Sequence, residues 1–194
     1  MKYALYNYLK TRFPISHWGG LVILFTFAGS PLSNSYLLLV NFCISLCFLF
    51  SFRLLDDLTS LTEDKLRHPE RILTRLSGHK FYWFVSISLS LIPNLIIYLK
   101  GKWIICILYL LIYLFNFKFP FLKSGIGGSK LFTHISLLKY PFLLLLLNIN
   151  SDLVLYENLI FYPFLTIPFI INENRNVIWP FYVSGVAVLL LKIL

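Results

Sequence analysis

The chain is predicted to be an all-α membrane protein, a polytopic bundle of about seven transmembrane helices forming a single domain over residues 1–194. Three observations predict it. Of the 194 residues, 58% are apolar and only 13% are charged, about half the charged fraction of an ordinary soluble domain. The apolar residues come in runs long enough to cross a bilayer, which takes roughly 20 of them as helix. Lysine and arginine fall almost wholly on one side once those runs are taken as spans.

Seven apolar stretches follow one another. The first, Trp18 to Ala28, is short and stops at Gly29-Ser30-Pro31; its basic leader is too long and irregular for a cleaved signal sequence. Tyr36 to Phe52, Phe81 to Leu99 and Trp103 to Phe117 are bounded by charge, Pro, Gly or Asn. His134 to Leu147 carries Lys139 and Pro141, which mark a partial or broken helix. Leu153 to Ile171 and Val177 to Leu194 complete the set, with Glu157 inside the sixth, where an acid is expected to face the bundle interior.

If all seven cross and the N-terminus is cytoplasmic, only Lys100, Lys102 and Lys192 lie outside, and every other Lys and Arg from Lys2 to Arg175 lies inside. The net charge of +9 therefore reads as topology in a cell inner or plasma membrane and attraction to anionic membrane lipid. No nucleic-acid partner is expected, because a soluble basic face is missing. Cys43, Cys47 and Cys106 lie within apolar stretches without a CxxC or a partner His, so they read as packing residues. Gly125-Ile126-Gly127-Gly128 lacks the following Lys-Ser or Lys-Thr of a phosphate loop. His68, His79 and His134 read as interfacial residues, and the aromatic start of the third span, Phe81 to Phe84, fits an interfacial belt better than a cavity lining.

A charged cytoplasmic loop is expected at 53–80. It holds Asp56, Asp57, Glu63, Asp64 and Glu70, five of the eight acids. At about 100° per residue, Asp56, Ser60, Glu63 and Asp64 share a helix arc, and Asp57 points about a quarter turn away. Oxygen ligands on one face suit Mg2+, which takes one or two carboxylates per ion together with substrate phosphates. Lys65, Arg67 and Arg71 stand close enough in sequence to hold the remaining phosphate charge. The plainer reading is a helix end with mixed surface pairs.

Asp56-Asp57-Leu58-Thr59-Ser60-Leu61-Thr62-Glu63-Asp64 followed by Lys65 resembles the first aspartate-rich motif of the UbiA superfamily of intramembrane prenyltransferases, (N/D)DxxDxxxD, which follows the second span there as here. His68-Pro69-Glu70-Arg71 is similar to the H-P-x-R that follows that motif, and Leu138-Lys139-Tyr140-Pro141 is a further likeness. The resemblance implies a helical bundle around a cavity, with a polyprenyl diphosphate held through Mg2+ and transferred to an aromatic or lipid-like hydrophobic acceptor; some relatives cyclise the chain instead. It assigns Asp56, Asp57 and Asp64 as catalytic acids, with Lys65, Arg67, Arg71 and Lys139 on the diphosphate. Asp56, Ser60, Glu63, Asp64 and Glu173 are the expected metal positions.

The departures are specific. Ser60 replaces the middle aspartate, the second motif meets only Asn172-Glu173-Asn174-Arg175, and seven spans stand where the family usually has nine. A catalytically degenerate lipid- or partner-binding protein of the same fold is the alternative. A small transporter would be marked by an inverted repeat between halves, and a phosphatidyl-alcohol transferase by DGxxAR; neither pattern is present.

Overall fold

The computed structural model describes residues 2–76, 78–123 and 139–150, with isolated positions 167, 183, 186, 187 and 190. The described residues form helices and no strands: α1 Lys2–Arg12, α2 Ile15–Ala28, α3 Ser35–Thr59, α4 Leu61–Arg67, α5 Ile72–Arg75, α6 His79–Leu99, α7 Trp103–Lys123 and α8 Lys139–Asn150. The first four apolar stretches coincide with α2, α3, α6 and α7, and α8 holds most of the fifth. Apart from those isolated positions, the sixth and seventh stretches lie outside the described residues, as do His134, Glu157, Glu173 and Arg175.

Helix α3 is the axis of the bundle, packed against α2, α6, α7 and α8. It starts at Asn34, whose side-chain oxygen accepts from the Leu37 amide at 3.0 Å, satisfying one of the orphan donors of the first turn. It does not stop at the end of its apolar run. Leu54, Leu55 and Leu58 recur at helical spacing and are buried, so the stripe facing the core continues through the charged segment. The helix yields at Thr59 and Ser60, whose hydroxyls turn back on the carbonyls of Asp56 and Asp57 at 3.1 and 3.4 Å, the local competition that makes Ser and Thr poor helix interiors. Residues 53–80 are thus largely helical, comprising the end of α3, then α4 and α5, rather than the expected loop.

The turn between α6 and α7 is closed by Gly101 at φ 72°. The amide of Lys102 reaches Ile97 O at 3.3 Å and that of Gly101 reaches Tyr98 O at 2.8 Å, the paired bonds of a Schellman cap that a glycine makes without strain. Among the described residues two helices, α3 and α6, are long and apolar enough to cross a membrane, and α2 and α7 hold shorter apolar segments.

Polarity is arranged with apolar groups outward. Phe84, Ile87, Leu91, Leu95 and Tyr98 form an exposed stripe along α6, and Ile104, Ile107, Leu108, Leu111 and Leu114 form another along α7. The interior holds hydroxyls and amides. Ser86 Oγ donates to Ser51 O at 3.0 Å and shares a hydrogen bond of 2.8 Å with Tyr113 Oη, joining α6, α3 and α7. Asn41, fully buried, reaches Gly29 O, Ser30 Oγ and Leu147 O with its amide nitrogen at 3.0, 2.7 and 3.4 Å, tying the end of α2 and the middle of α8 to α3.

At that junction a Cβ on Gly29 would lie 2.3 Å from Leu147 Cβ, so only glycine permits the approach. Gly29→Ala is expected to destabilise the fold by about 1–3 kcal/mol through overpacking, measured by thermal unfolding in detergent. Adding Leu147→Ala should make the double variant less unstable than the sum of the two single changes.

Candidate functional site

Asp56, Asp57 and Asp64 sit where α3 ends and α4 begins, and each meets at least one cation. Asp57, which Leu54 and Leu58 flank on the buried face, is only 5% exposed. Its Oδ2 accepts from Tyr8 Oη at 2.9 Å and Arg12 Nε at 3.0 Å, and its Oδ1 from Arg12 Nη2 at 2.5 Å. Arg53, one turn back on α3, lies 3.3 Å from the same Oδ1. Three hydrogen bonds, one from Tyr8 and two from Arg12, thus hold the carboxylate, with the Arg53 charge beside them, and the Arg12 contact is the bidentate fork that gives both strength and orientation.

Asp57 leaves its mark on its partners. Burial pushes the Tyr8 phenol well above the usual tyrosine range, and the negative charge and hydrogen bond of Asp57 push it further. Burial alone would lower the Arg12 guanidinium, but the bond and charge of Asp57 outweigh it and hold the group above its ordinary value. Tyr8 therefore stays a neutral donor and Arg12 a permanent cation.

Asp56 faces the other way. Its Oδ2 meets Lys139 Nζ from α8 at 2.5 Å. Lys139 is buried and lies over the rings of Phe52 and Tyr140, 5.8 and 5.6 Å from their centroids, so aromatic faces supplement the carboxylate in replacing its hydration. Beside this pair is a pocket of about 20 Å³ lined by Trp18, Phe52, Arg53 and Tyr140 among others, room for about one water molecule.

Asp64, on α4 and 7% exposed, is bonded through Oδ1 to Arg71 and accepts from Ser60 Oγ on Oδ2 at 3.3 Å. The backbone bonds Ser60 N to Asp56 O and Asp64 N to Ser60 O, at 3.1 and 2.8 Å, keep helical register across the break. Ser60 and Asp64 consequently share a face, as their spacing predicts. Pro69 explains how Arg71 returns to Asp64. The residue before a proline is driven out of the helical region, and His68 ends α4 at φ −138° and ψ 60°. The chain reverses there, and Pro69 O is held by Thr74 Oγ1 and Arg75 Nε, each at 3.1 Å.

On the expected metal face, Asp56 is paired with Lys139 and Asp64 with Arg71. Among the described residues, no three of His, Cys, Asp and Glu come together to hold a metal ion. Asp57, a quarter turn away, is held by Tyr8, Arg12 and Arg53. Lys65 and Arg67 are exposed on α4, and Glu63 lies in the same helix. Sequence spacing did not find Tyr8 or Arg12, which lie 49 and 45 residues from Asp57. Arg53 was readable as an i,i+4 partner.

Asp57→Ala is expected to cost about 3–5 kcal/mol, because it leaves Arg12 and Arg53 without their buried anion. Urea titration of the detergent-solubilised chain would measure this loss and show a smaller one for the more exposed Asp56. Tyr8 predicts an alkaline limb. Its folded pKa lies above that of an exposed tyrosine, about 10, so its contribution is complete below that pH and is lost as pH rises beyond it. Tyr8→Phe should flatten the fall in stability above pH 10 by up to about 1.4 kcal/mol per pH unit, read as the difference between the two pH–stability curves.

No protein-family model, curated protein or solved structure matches this chain, so the chemistry of the site rests on its own residues.

Proposed function

We propose that the chain is a multi-pass membrane protein, N-terminus cytoplasmic, that binds a prenyl diphosphate with Mg2+ at the aspartate-bearing end of α3 and transfers the prenyl group to a hydrophobic acceptor in the manner of the UbiA superfamily. The membrane part is supported by the outward apolar stripes of α6 and α7 around a core joined by Ser86, Tyr113 and Asn41. Lipid tails are as apolar as leucine, so helices in a bilayer are held by close packing and interhelical hydrogen bonds of this kind.

The observation that carries the ligand reading is the pairing of two carboxylates with two separable cations, Asp56 with Lys139 and Asp64 with Arg71. A metal diphosphate brings both signs of charge. Asp56 and Asp64 are the residues that would hold Mg2+, which commonly uses one or two carboxylates and completes its shell with phosphate oxygens and water. Lys139 and Arg71, released from them, would turn to the phosphates, with Lys65 and Arg67 at the rim. Bound there, Mg2+ would neutralise the departing diphosphate. The protein's own part is to keep the acids and cations adjacent before the ligand arrives; Phe52, Tyr140 and Trp18, which line the small pocket beside Asp56 and Lys139, are the apolar neighbours that would exclude water there.

A second reading, a catalytically degenerate member of the same fold that binds a lipid or membrane partner, is favoured by the same pairs taken as permanent, and by Ser60 at the middle metal position. The two differ in what ligand does. Mg2+ with a prenyl diphosphate at about a hundred times its dissociation constant should raise stability by roughly 2.7 kcal/mol. Asp56→Ala, Asp64→Ala and Lys139→Ala should each lose most of that increment, measured by thermal shift against each variant's own baseline. Diphosphate release in the same samples marks the enzyme, and a shift without release marks the degenerate protein. Equal increments in wild type and variants would end the claim that these acids meet the ligand.

A further inference from the structure

Away from the aspartates, α1 covers a lateral groove that none of the chemistry above uses. Leu5, Tyr8, Leu9 and Arg12 are buried or half-buried at helical spacing, while Tyr6 and Lys10 are exposed and border the groove. Arg12 fixes α1 at the level of Asp57, and Phe13 closes the far side by packing on Phe50, ring centroids 5.1 Å apart. Beneath α1 remains a space of about 730 Å³ lined by Tyr6, Leu9, Lys10, Leu46, Phe50 and Leu89 among others, within the size range of small-molecule sites.

We infer that this groove binds one acyl chain of an anionic phospholipid, with the lipid phosphate paired to Lys10. Two observations select this occupant. Among the described residues lining the groove, Lys10 is the one that is charged; it is exposed and stands two residues before Arg12, which pairs with Asp57, so the walls suit a chain and the lip suits an anion. The groove is also continuous with the exposed apolar face of α3, where Leu39, Phe42 and Leu46 stand in the open, so a chain enters sideways from lipid without leaving an apolar surface. A neutral lipid would satisfy the walls and leave the lysine unmatched; a soluble anion would do the reverse.

This rests on the membrane reading above, and the test separates the two. The full chain is reconstituted in vesicles of phosphatidylcholine and phosphatidylglycerol carrying a trace of either lipid with a photoactivatable acyl chain, and cross-linked peptides are mapped. Failure of the chain to float with the vesicles would overturn the membrane reading itself. Given flotation, the phosphatidylglycerol probe should label α3 between Leu46 and Phe50, and α6 near Leu89, about fivefold more than the phosphatidylcholine probe, since one lysine at the surface contributes about that much. Lys10→Glu should remove the preference while the chain labelling persists, and Leu89→Trp, which fills the groove, should reduce labelling by both probes. Equal labelling by the two head groups in the wild-type chain would overturn the inference even if neither variant folds. So would loss of labelling on adding Mg2+ and a prenyl diphosphate, which would give the groove to the substrate's tail.

Discussion

The end of the bundle depends on one carboxylate. Asp57 collects Tyr8 and Arg12 from α1 and Arg53 from its own helix, and through them the N-terminal helix is held across the foot of α3. Burying an ion pair gains little net stability over an apolar contact, but removing one partner is expensive, so such a site defines an arrangement more than it strengthens one. Here the arrangement is the placement of α1 and, with it, the register in which Asp56 and Asp64 face other partners. Because Asp57 takes two arginines, the cluster is cationic before any ligand arrives, which suits an anionic head group.

Around this foot the helices are joined by few but directional contacts. Asn41, Ser86 and Tyr113 each connect two or three helices, and the glycine at the end of α2 lets α8 approach to backbone distance. Bonds of this type contribute about 0.6 kcal/mol each in a bilayer, rarely above 1.7. The bundle is therefore a sum of small terms, except at the charged end, where single substitutions carry several kcal/mol.

Much of the fold was legible because an apolar run states its own length. The first four stretches became helices near their expected bounds, and the small and breaking residues Gly29-Ser30-Pro31, Gly78 and Gly101 fall between helices. The segment after Phe52, expected as a charged cytoplasmic loop whose acids share a helix arc, is helical through Thr59 because Leu54, Leu55 and Leu58 continue the buried stripe. The shared face of Ser60 and Asp64 was readable, since four residues on a helix is a local rule. The destinations of Asp56 and Asp57 were not, since Lys139 and Arg12 arrive through tertiary packing that no spacing encodes. Asp57 illustrates the limit well: helix spacing sets it a quarter turn from its neighbours, and only the approach of α1 shows what it meets there.

The Asp56–Lys139 pair also bears on how the chain is made. The two residues are 83 apart in sequence, and synthesis runs from the N-terminus, so the carboxylate is in place well before the ammonium emerges. In the membrane topology proposed above, a lysine near the start of α8 would resist entry into a bilayer unless a partner accepted it. Asp56 is adjacent to it, together with the rings of Phe52 and Tyr140. On that topology the acid at the end of α3 would be a receptor for a helix not yet translated, and the order of the chain would decide which charge waits and which one docks.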